Sequence, residues 1–366
     1  MFMPEKVLKM YINRYPNLLK RVKPTKQEFS YYDETELVAT AHQEIEQGTI
    51  VINENEITGQ GFSFSDTRTD IAESIFVQDQ VNLITLVNWR INKSIYQFEK
   101  TLIKDLGNVK LNKELPADLL YRIPEHCLHI DLSVLNKTIK EFSGVNYFKE
   151  PDKMVKGVFV RIAHNNGKFE PKVPYLLFGL LTEQKGFLDI TNGCLPLLKK
   201  TIYEISEDLK YFYLKKAVEH KHLYDEDLRP LILKDVEFWH SVYSHLIPII
   251  LYLCTENAAI YDTQNKKVRP RSAAPKKVKK GMKIFPADKP KEYRIGNFNA
   301  TKPLTSNNCS IQSTDRTVSP HVRSAHFHHY WKKTKKGKEL TVKWLPPILV
   351  NHKSHEEIKP ILKKVK

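Results

Sequence analysis

Residues 157–182 read GVFVRIAHNNGKFEPKVPYLLFGLLT, and this stretch decides the fold class. Two apolar runs rich in β-branched and aromatic residues flank Asn166-Gly167, a pair suited to the left-handed backbone of a tight turn. The spacing predicts two strands. Pro171 and Pro174 make the second an edge strand or delay its start, because proline cannot donate to a ladder. Upstream, CLHIDLS (127–133) alternates cleanly. Cys127, His129 and Asp131 fall on one face and Leu128, Ile130 and Leu132 on the other, the pattern of a half-buried strand with a polar, solvent-facing side.

Around these strands the pattern turns helical. Residues 33–48 carry Asp33 as a cap, Glu34 and Glu36 in the first turn and Gly48 as a stop, which predicts a helix. Residues 50–70 read as a loop. Apolar residues at helical spacing from Ile71 to Phe98 predict one or two long helices over 71–105. Two more helices are expected over 194–219 and 226–255, with Pro248 inside the second. The class is α+β, with a helical majority in the first 265 residues.

Composition leaves room for a packed core: 41% of residues are apolar and 10% aromatic. The apolar run 245–254 is about half of a membrane span and contains a proline. The N-terminus lacks the continuous apolar core of a signal peptide. A cytoplasmic location and no membrane partner are expected. The four cysteines are scattered without a Cys-x-x-Cys pair, which fits buried thiols in a reducing compartment. Walker-type and Rossmann-type glycine loops are absent, as is His-Glu-x-x-His, so no cofactor or metal is expected.

Charge is segregated. Residues 266–366 hold 26 Lys+Arg and 6 Asp+Glu, a net of +20, and the rest of the chain nets −4. Such a block points to a polyanion, most simply nucleic acid. Three segments follow: an α+β domain over 1–262, a basic connector over 263–300, and a basic β-hairpin region over 301–366. Lys276, Lys277, Lys279 and Lys280 of the connector are candidate RNA contacts. EYRIG (292–296) reads as a short strand.

The C-terminal block is the most regular β signal. Residues 321–331 and 339–345 flank KKTKKGK, a turn that presents Lys332, Lys333, Lys335, Lys336 and Lys338. Alternation places Val322, Ser324, His326, His328 and Tyr330 on one face, with His326, His328 and Tyr330 spaced by about 7 Å. Arg323, Ala325, Phe327, His329 and Trp331 share the other, which holds the large hydrophobes and is expected to face the core. Three readings stay open. A metal-independent ribonuclease would use His326 and His328 as acid and base, with Arg323 or Lys343 stabilising the phosphorane charge. A metal-dependent nuclease would use the His-x-His pair. A partly buried hairpin would bind RNA or protein without catalysis. His164 reads as a turn residue, and His240 and His245 lie five apart, not at zincin spacing.

At His321-Val322-Arg323, His326, His328, Tyr330-Trp331, Val342-Lys343-Trp344 and Val350-Asn351 the chain resembles the anti-CRISPR type V-A protein two family. The similarity runs upstream through Ile95-Tyr96-Gln97, Ile103-Lys104-Asp105, Glu114-Leu115-Pro116, Pro124, Cys127, Asp131 and Leu246 to Cys254, in the family's order. The first 80 residues match poorly. The resemblance implies a protein of phages, plasmids and related mobile elements that prevents synthesis of a type V-A CRISPR nuclease. It would recognise the nascent N-terminal segment of that nuclease, or of another target, and cause loss of the mRNA during translation. The implied partners are the target mRNA or ribosomal RNA, the nascent polypeptide, and the ribosome or a host ribonuclease. The resemblance does not choose between cleavage by the chain itself and recruitment of a host enzyme. Arg323, His326, His328, Tyr330, Trp331, Lys343 and Trp344 match the family pattern, and His329 falls at a variable position. On this basis the 1–262 domain is expected to bind peptide and the basic C-terminal region RNA.

Overall fold

The structure, a computed structural model, describes residues 2–14, 81–111, 113–145, 152–164, 174–208, 211, 228–274, 276–279, 281–296, 321–334 and 337–350. The expected helix over 33–48 and loop over 50–70 lie outside the described residues.

The fold is α+β and is organised by one seven-stranded mixed sheet. Its strands are β1 (Ser94–Phe98), β2 (Cys127–Asp131), β3 (Met154–His164), β4 (Pro174–Gln184), β5 (Phe187–Pro196), β6 (Ile260–Tyr261) and β9 (Lys291–Ile295). Spatial order is β5-β4-β3-β2-β1-β9-β6. β1 runs parallel to both β2 and β9, and the remaining pairs are antiparallel. The second run of the opening stretch starts late, at Pro174, but it is not an edge strand. β4 lies between β3 and β5, where its Leu176, Phe178, Leu180 and Leu181 are buried.

Both faces of the sheet are covered. Leu128 and Ile130 of β2 join Val158, Val160, Phe178 and Leu180 in a cluster packed on the 27-residue helix Leu228–Cys254. That helix contributes Phe238, Val242, Leu246, Ile250 and Leu253 at spacings of three and four residues, the stripe one helix face requires. It accommodates Pro248 inside its span. On the other face, Ile95, Cys127, Phe159, Leu181 and Ile190 pack with Val7, Leu8 and Tyr11 of the helix Met3–Arg14 and with Leu83, Leu86, Val87 and Trp89 of a helix over 81–92.

This second layer corrects the reading of CLHIDLS. Cys127 and His129 do not face solvent but are each 1% exposed beneath the N-terminal helices. Burial pushes the Cys127 thiol up to about 12 and the His129 imidazole down to about 3. Alternation identified the two faces correctly but could not show that a helical layer covers the polar-looking one.

Two boundaries also move. The stretch 71–105 is not continuously helical. Lys93 adopts φ 49°, which ends the helix over 81–92, and Ser94–Phe98 then enters the sheet. Glu99 restarts helix Lys100–Gly107 by accepting from the backbone N–H groups of Thr101 and Leu102. Likewise, residues 194–196 belong to β5; among the described residues helix follows over 202–208, at 211 and from Leu228, and the rest of 209–227 lies outside them.

The basic segment is threaded into this architecture. β9 is hydrogen-bonded between β1 and β6, the Ser272 hydroxyl accepts from the His126 backbone N–H, and Asn92 Oδ1 accepts from Ala273 N. Lys276–Val278 (β7) and Gly281–Lys283 (β8) form a small ladder of their own.

Candidate functional site

The C-terminal hairpin consists of β11 (His326–Thr334) and β12 (Gly337–Leu345), paired from His326–Leu345 to Thr334–Gly337. The ladder is longer and its turn tighter than the sequence suggested. Lys332 and Lys333 lie within β11, and only Lys335 and Lys336, outside the described residues, separate the strands. The strand does not run unbroken from 321. Ser324 and Ala325 interrupt it, and β10 (His321–Arg323) pairs instead with β13 (Ile348–Val350), which follows Pro346-Pro347.

Docking of the hairpin begins at the C-terminal end of the long helix. Glu256 N donates to Val342 O, and Asn257 makes two bonds to Trp344, Nδ2 to the carbonyl at 2.8 Å and Oδ1 from the N–H at 3.0 Å. Phe327, Val342 and Trp344 are thereby buried in the main core, with Trp344 packed edge-on to Tyr252 and tilted against Phe327. The core-facing side extends only this far. Trp331, on the same face by alternation, is 66% exposed, because the distal half of the hairpin passes beyond the helix end.

The opposite face gathers part of the expected set. His328 and Lys343 are cross-strand partners. The rings of His328 and Tyr330 stack 6.0 Å apart at 21°, and Lys343 Nζ lies 5.0 Å from the Tyr330 ring centroid. The Tyr330 hydroxyl donates to Glu256 Oε2 at 2.8 Å, and Lys332 Nζ donates to Glu256 Oε1 at 2.9 Å. The bond from Lys332 and then that from Tyr330 hold the Glu256 carboxyl below its ordinary value. Nothing in the local sequence marked Glu256, which is brought here by the chain reversal after Cys254.

His326 Nδ1 lies 3.0 Å from Ser324 O. A carbonyl only accepts, so Nδ1 carries the proton and the Nε2 of the neutral ring keeps its lone pair. Arg323 stands exposed on the separate β10–β13 pair. Thus His328, Tyr330 and Lys343 converge, His326 flanks them, and Arg323 belongs to another ladder. Lys276 and Lys277 are solvent-facing on β7, Lys279 is exposed in the turn that follows it, and Lys280 lies outside the described residues. Among the described residues, no three His, Cys, Asp or Glu side chains are grouped so that they could hold a metal.

Two polar sites away from the hairpin escaped sequence reasoning. Glu125 is 1% exposed and its two oxygens accept from Ser94 Oγ and Tyr96 OH, each at 2.8 Å. Burial raises its carboxyl to about 7, against the pull of those bonds and of Lys291. A cleft of about 250 Å³ between β5 and the long helix is lined by Asn192, Gly193, Ser206, Asp235, Trp239 and His240, with Ser206 Oγ 2.9 Å from His240 Nδ1. Neither has a spacing signature, since each draws on residues far apart in the chain.

The model of the AcrVA2-like family, anti-CRISPR type V subtype A2, matches residues 96–352, more than two-thirds of the chain. The chain belongs to this anti-CRISPR family. The match begins within β1 and contains the rest of the sheet, the long helix and the complete hairpin. The crystal structure of AcrVA2 superposes with a TM-score of 0.58 and 16% identity, covering 96% of this chain and 100% of that one, which establishes a shared fold. No protein of curated function matches the sequence. Among the described residues, no helix is long and apolar enough to cross a membrane.

Proposed function

We propose that this anti-CRISPR family member lowers expression of a target protein, the type V-A CRISPR nuclease or another, through translation-coupled loss of its mRNA, and that the hairpin holds the RNA. The observation that carries the RNA part is the convergence of His328, Tyr330 and Lys343 on one face of a hairpin anchored to the core. Aromatic and imidazole rings offer stacking surfaces to unpaired bases, and a lysine beside them meets the phosphate. Family membership supports a CRISPR-related target. The nascent polypeptide is assigned to the 1–262 region because the rest of the chain carries the positive charge.

Holding fits the geometry better than cutting. The Tyr330 proton is engaged by Glu256 and the His326 Nδ1 proton by Ser324, so neither is poised for a leaving oxygen. The chain would then act as an adaptor on the mRNA or ribosomal RNA, with a host ribonuclease doing the cleavage. A cutting reading retains one supporting observation, the free Nε2 lone pair of His326 as a base.

The test measures target mRNA in cells and RNA affinity in vitro for His326→Ala, His328→Ala and Lys343→Ala. Holding requires that affinity and mRNA loss fall together for His328→Ala and Lys343→Ala. Abolished mRNA loss with full RNA affinity in His326→Ala favours cutting. A wild-type chain that leaves target mRNA unchanged and binds no RNA overturns the proposal.

A further inference from the structure

The two faces of the distal hairpin differ in how their charge is balanced. On the Tyr330 face, Lys332 is held by Glu256 and stands opposite Glu339, which in turn pairs with Arg122 at 3.0 Å. The other face carries Trp331, Lys333 and Lys338. Lys333 and Lys338 are direct cross-strand partners, both exposed, and neither has an acidic partner among the described residues. Like charges directly opposite each other in a ladder are destabilising. Two residues before Lys333, and so on the same face, the Trp331 indole is 66% exposed, forgoing burial that its neighbours Phe327 and Trp344 obtain. A hairpin that only had to fold would gain from replacing all three.

We infer that Trp331, Lys333 and Lys338 form a stacking site for an unpaired nucleobase of single-stranded RNA and its flanking phosphates. The indole supplies a sequence-tolerant stacking plane, and the two ammonium groups, which no carboxylate among the described residues neutralises, supply positive charge for the phosphates. A duplex keeps its base faces covered, so the site selects single strands. The inference rests on the RNA-holding reading of the hairpin but places the base on the face opposite His328 and Tyr330. A strand gripped there and at Lys343 would wrap the hairpin.

The experiment titrates the full chain into a short fluorescein-labelled single-stranded RNA of mixed sequence and follows anisotropy over a range of salt. Trp331→Ala is expected to weaken binding by about 5- to 150-fold, the range for losing one stacked base, with an unchanged salt slope. Trp331→Tyr should recover most of the affinity. Lys333→Gln combined with Lys338→Gln should lower the log–log salt slope by about 1.4, the share of two single-strand phosphate contacts. Unaltered affinity in Trp331→Ala overturns the inference, as does equal loss of binding to a blunt RNA duplex. So does a Trp331→Ala chain that binds RNA normally but no longer binds phosphatidylserine vesicles or a peptide of the target protein. If Lys343→Ala weakens RNA binding and Trp331→Ala does not, only this site fails. If the wild-type chain binds no RNA, the reading beneath it fails as well.

Discussion

The Tyr330 phenol donates a 2.8 Å hydrogen bond to Glu256, 74 residues earlier in the chain. This bond and the one from Lys332 tie the basic hairpin to the turn that follows the long core helix. The same carboxylate keeps negative charge close to Lys343. Glu256 therefore orders the face while weakening its attraction for an anion.

Replacing Glu256 separates these effects. Glu256→Gln should cost about 1 kcal/mol or less of stability, since the pair with Lys332 is solvent-exposed. It should tighten single-stranded RNA binding by about two- to fivefold, because two lysines lose their internal counter-charge. Urea unfolding and anisotropy titration measure the pair. Weaker RNA binding at unchanged stability would mean that the carboxylate positions the site and does not restrain it.

Asn257 has a different role, since both its amide groups serve the buried Trp344 backbone. Asn257→Ala leaves a donor and an acceptor unsatisfied and should cost about 1–3 kcal/mol. Hydrogen exchange at β12 should rise more than exchange at β3 and β4, because the loss is local to the hairpin. Uniform acceleration across the sheet would count against this account.

Glu125 gives the fold a pH dependence of unusual sign. Its carboxyl is raised from 4.5 to about 7 in the folded chain. Between those values the unfolded state has released the proton and the folded state retains it, so stability falls as pH rises from 4.5 to 7 and is flat above. The total is about 3 kcal/mol. Glu125→Gln keeps a group that can bond Ser94 and Tyr96 and should erase this slope, gaining stability at pH 8 relative to pH 5. Chemical denaturation of both chains at the two pH values tests it, and parallel profiles would refute it.

His129 acts in the opposite sense. Both its ring nitrogens are buried without a hydrogen-bond partner among the described residues, and its pKa is lowered from 6.5 to about 3 by burial. The unfolded state takes up a proton below 6.5 and the folded state does not, so this contribution to stability grows as pH rises from 3 to 6.5. His129→Leu should raise stability by about 1–3 kcal/mol by removing two unsatisfied polar atoms. Gly157→Ala should destabilise, because a Cβ there would collide with the His129 ring at Nε2 and lie 2.7 Å from Ile130 O. The carbonyl contact means that His129→Leu will not rescue it. Thermal unfolding of the two single variants and the double variant measures all three.

Much of this was legible before folding was considered. The strands at 127 and 157, the late start at Pro174, the strand at 292, the long helix and the C-terminal hairpin all follow from period and turn chemistry, which act within a few residues. The recurring pattern around His326, His328, Tyr330 and Lys343 identified the family. Strand alternation placed His328 and Tyr330 on one face, and the structure stacks their rings.

What escaped is equally specific. Ser94–Phe98 has enough apolar residues to pass for helix, and only the left-handed Lys93 and two parallel neighbours make it a strand. His129 looked solvent-facing because alternation defines two faces without saying what covers them. Trp331 looked buried because composition cannot tell where a strand outruns the core beneath it. Glu256 and Glu125 are joined to their partners across 74, 31 and 29 residues. The local elements, the family and the segregation of charge could all be read along the chain, since these depend on near neighbours and residue identity. The tertiary structure alone decided which faces are covered and which lysines keep their charge uncompensated, because burial and ion pairing depend on distant segments meeting in space.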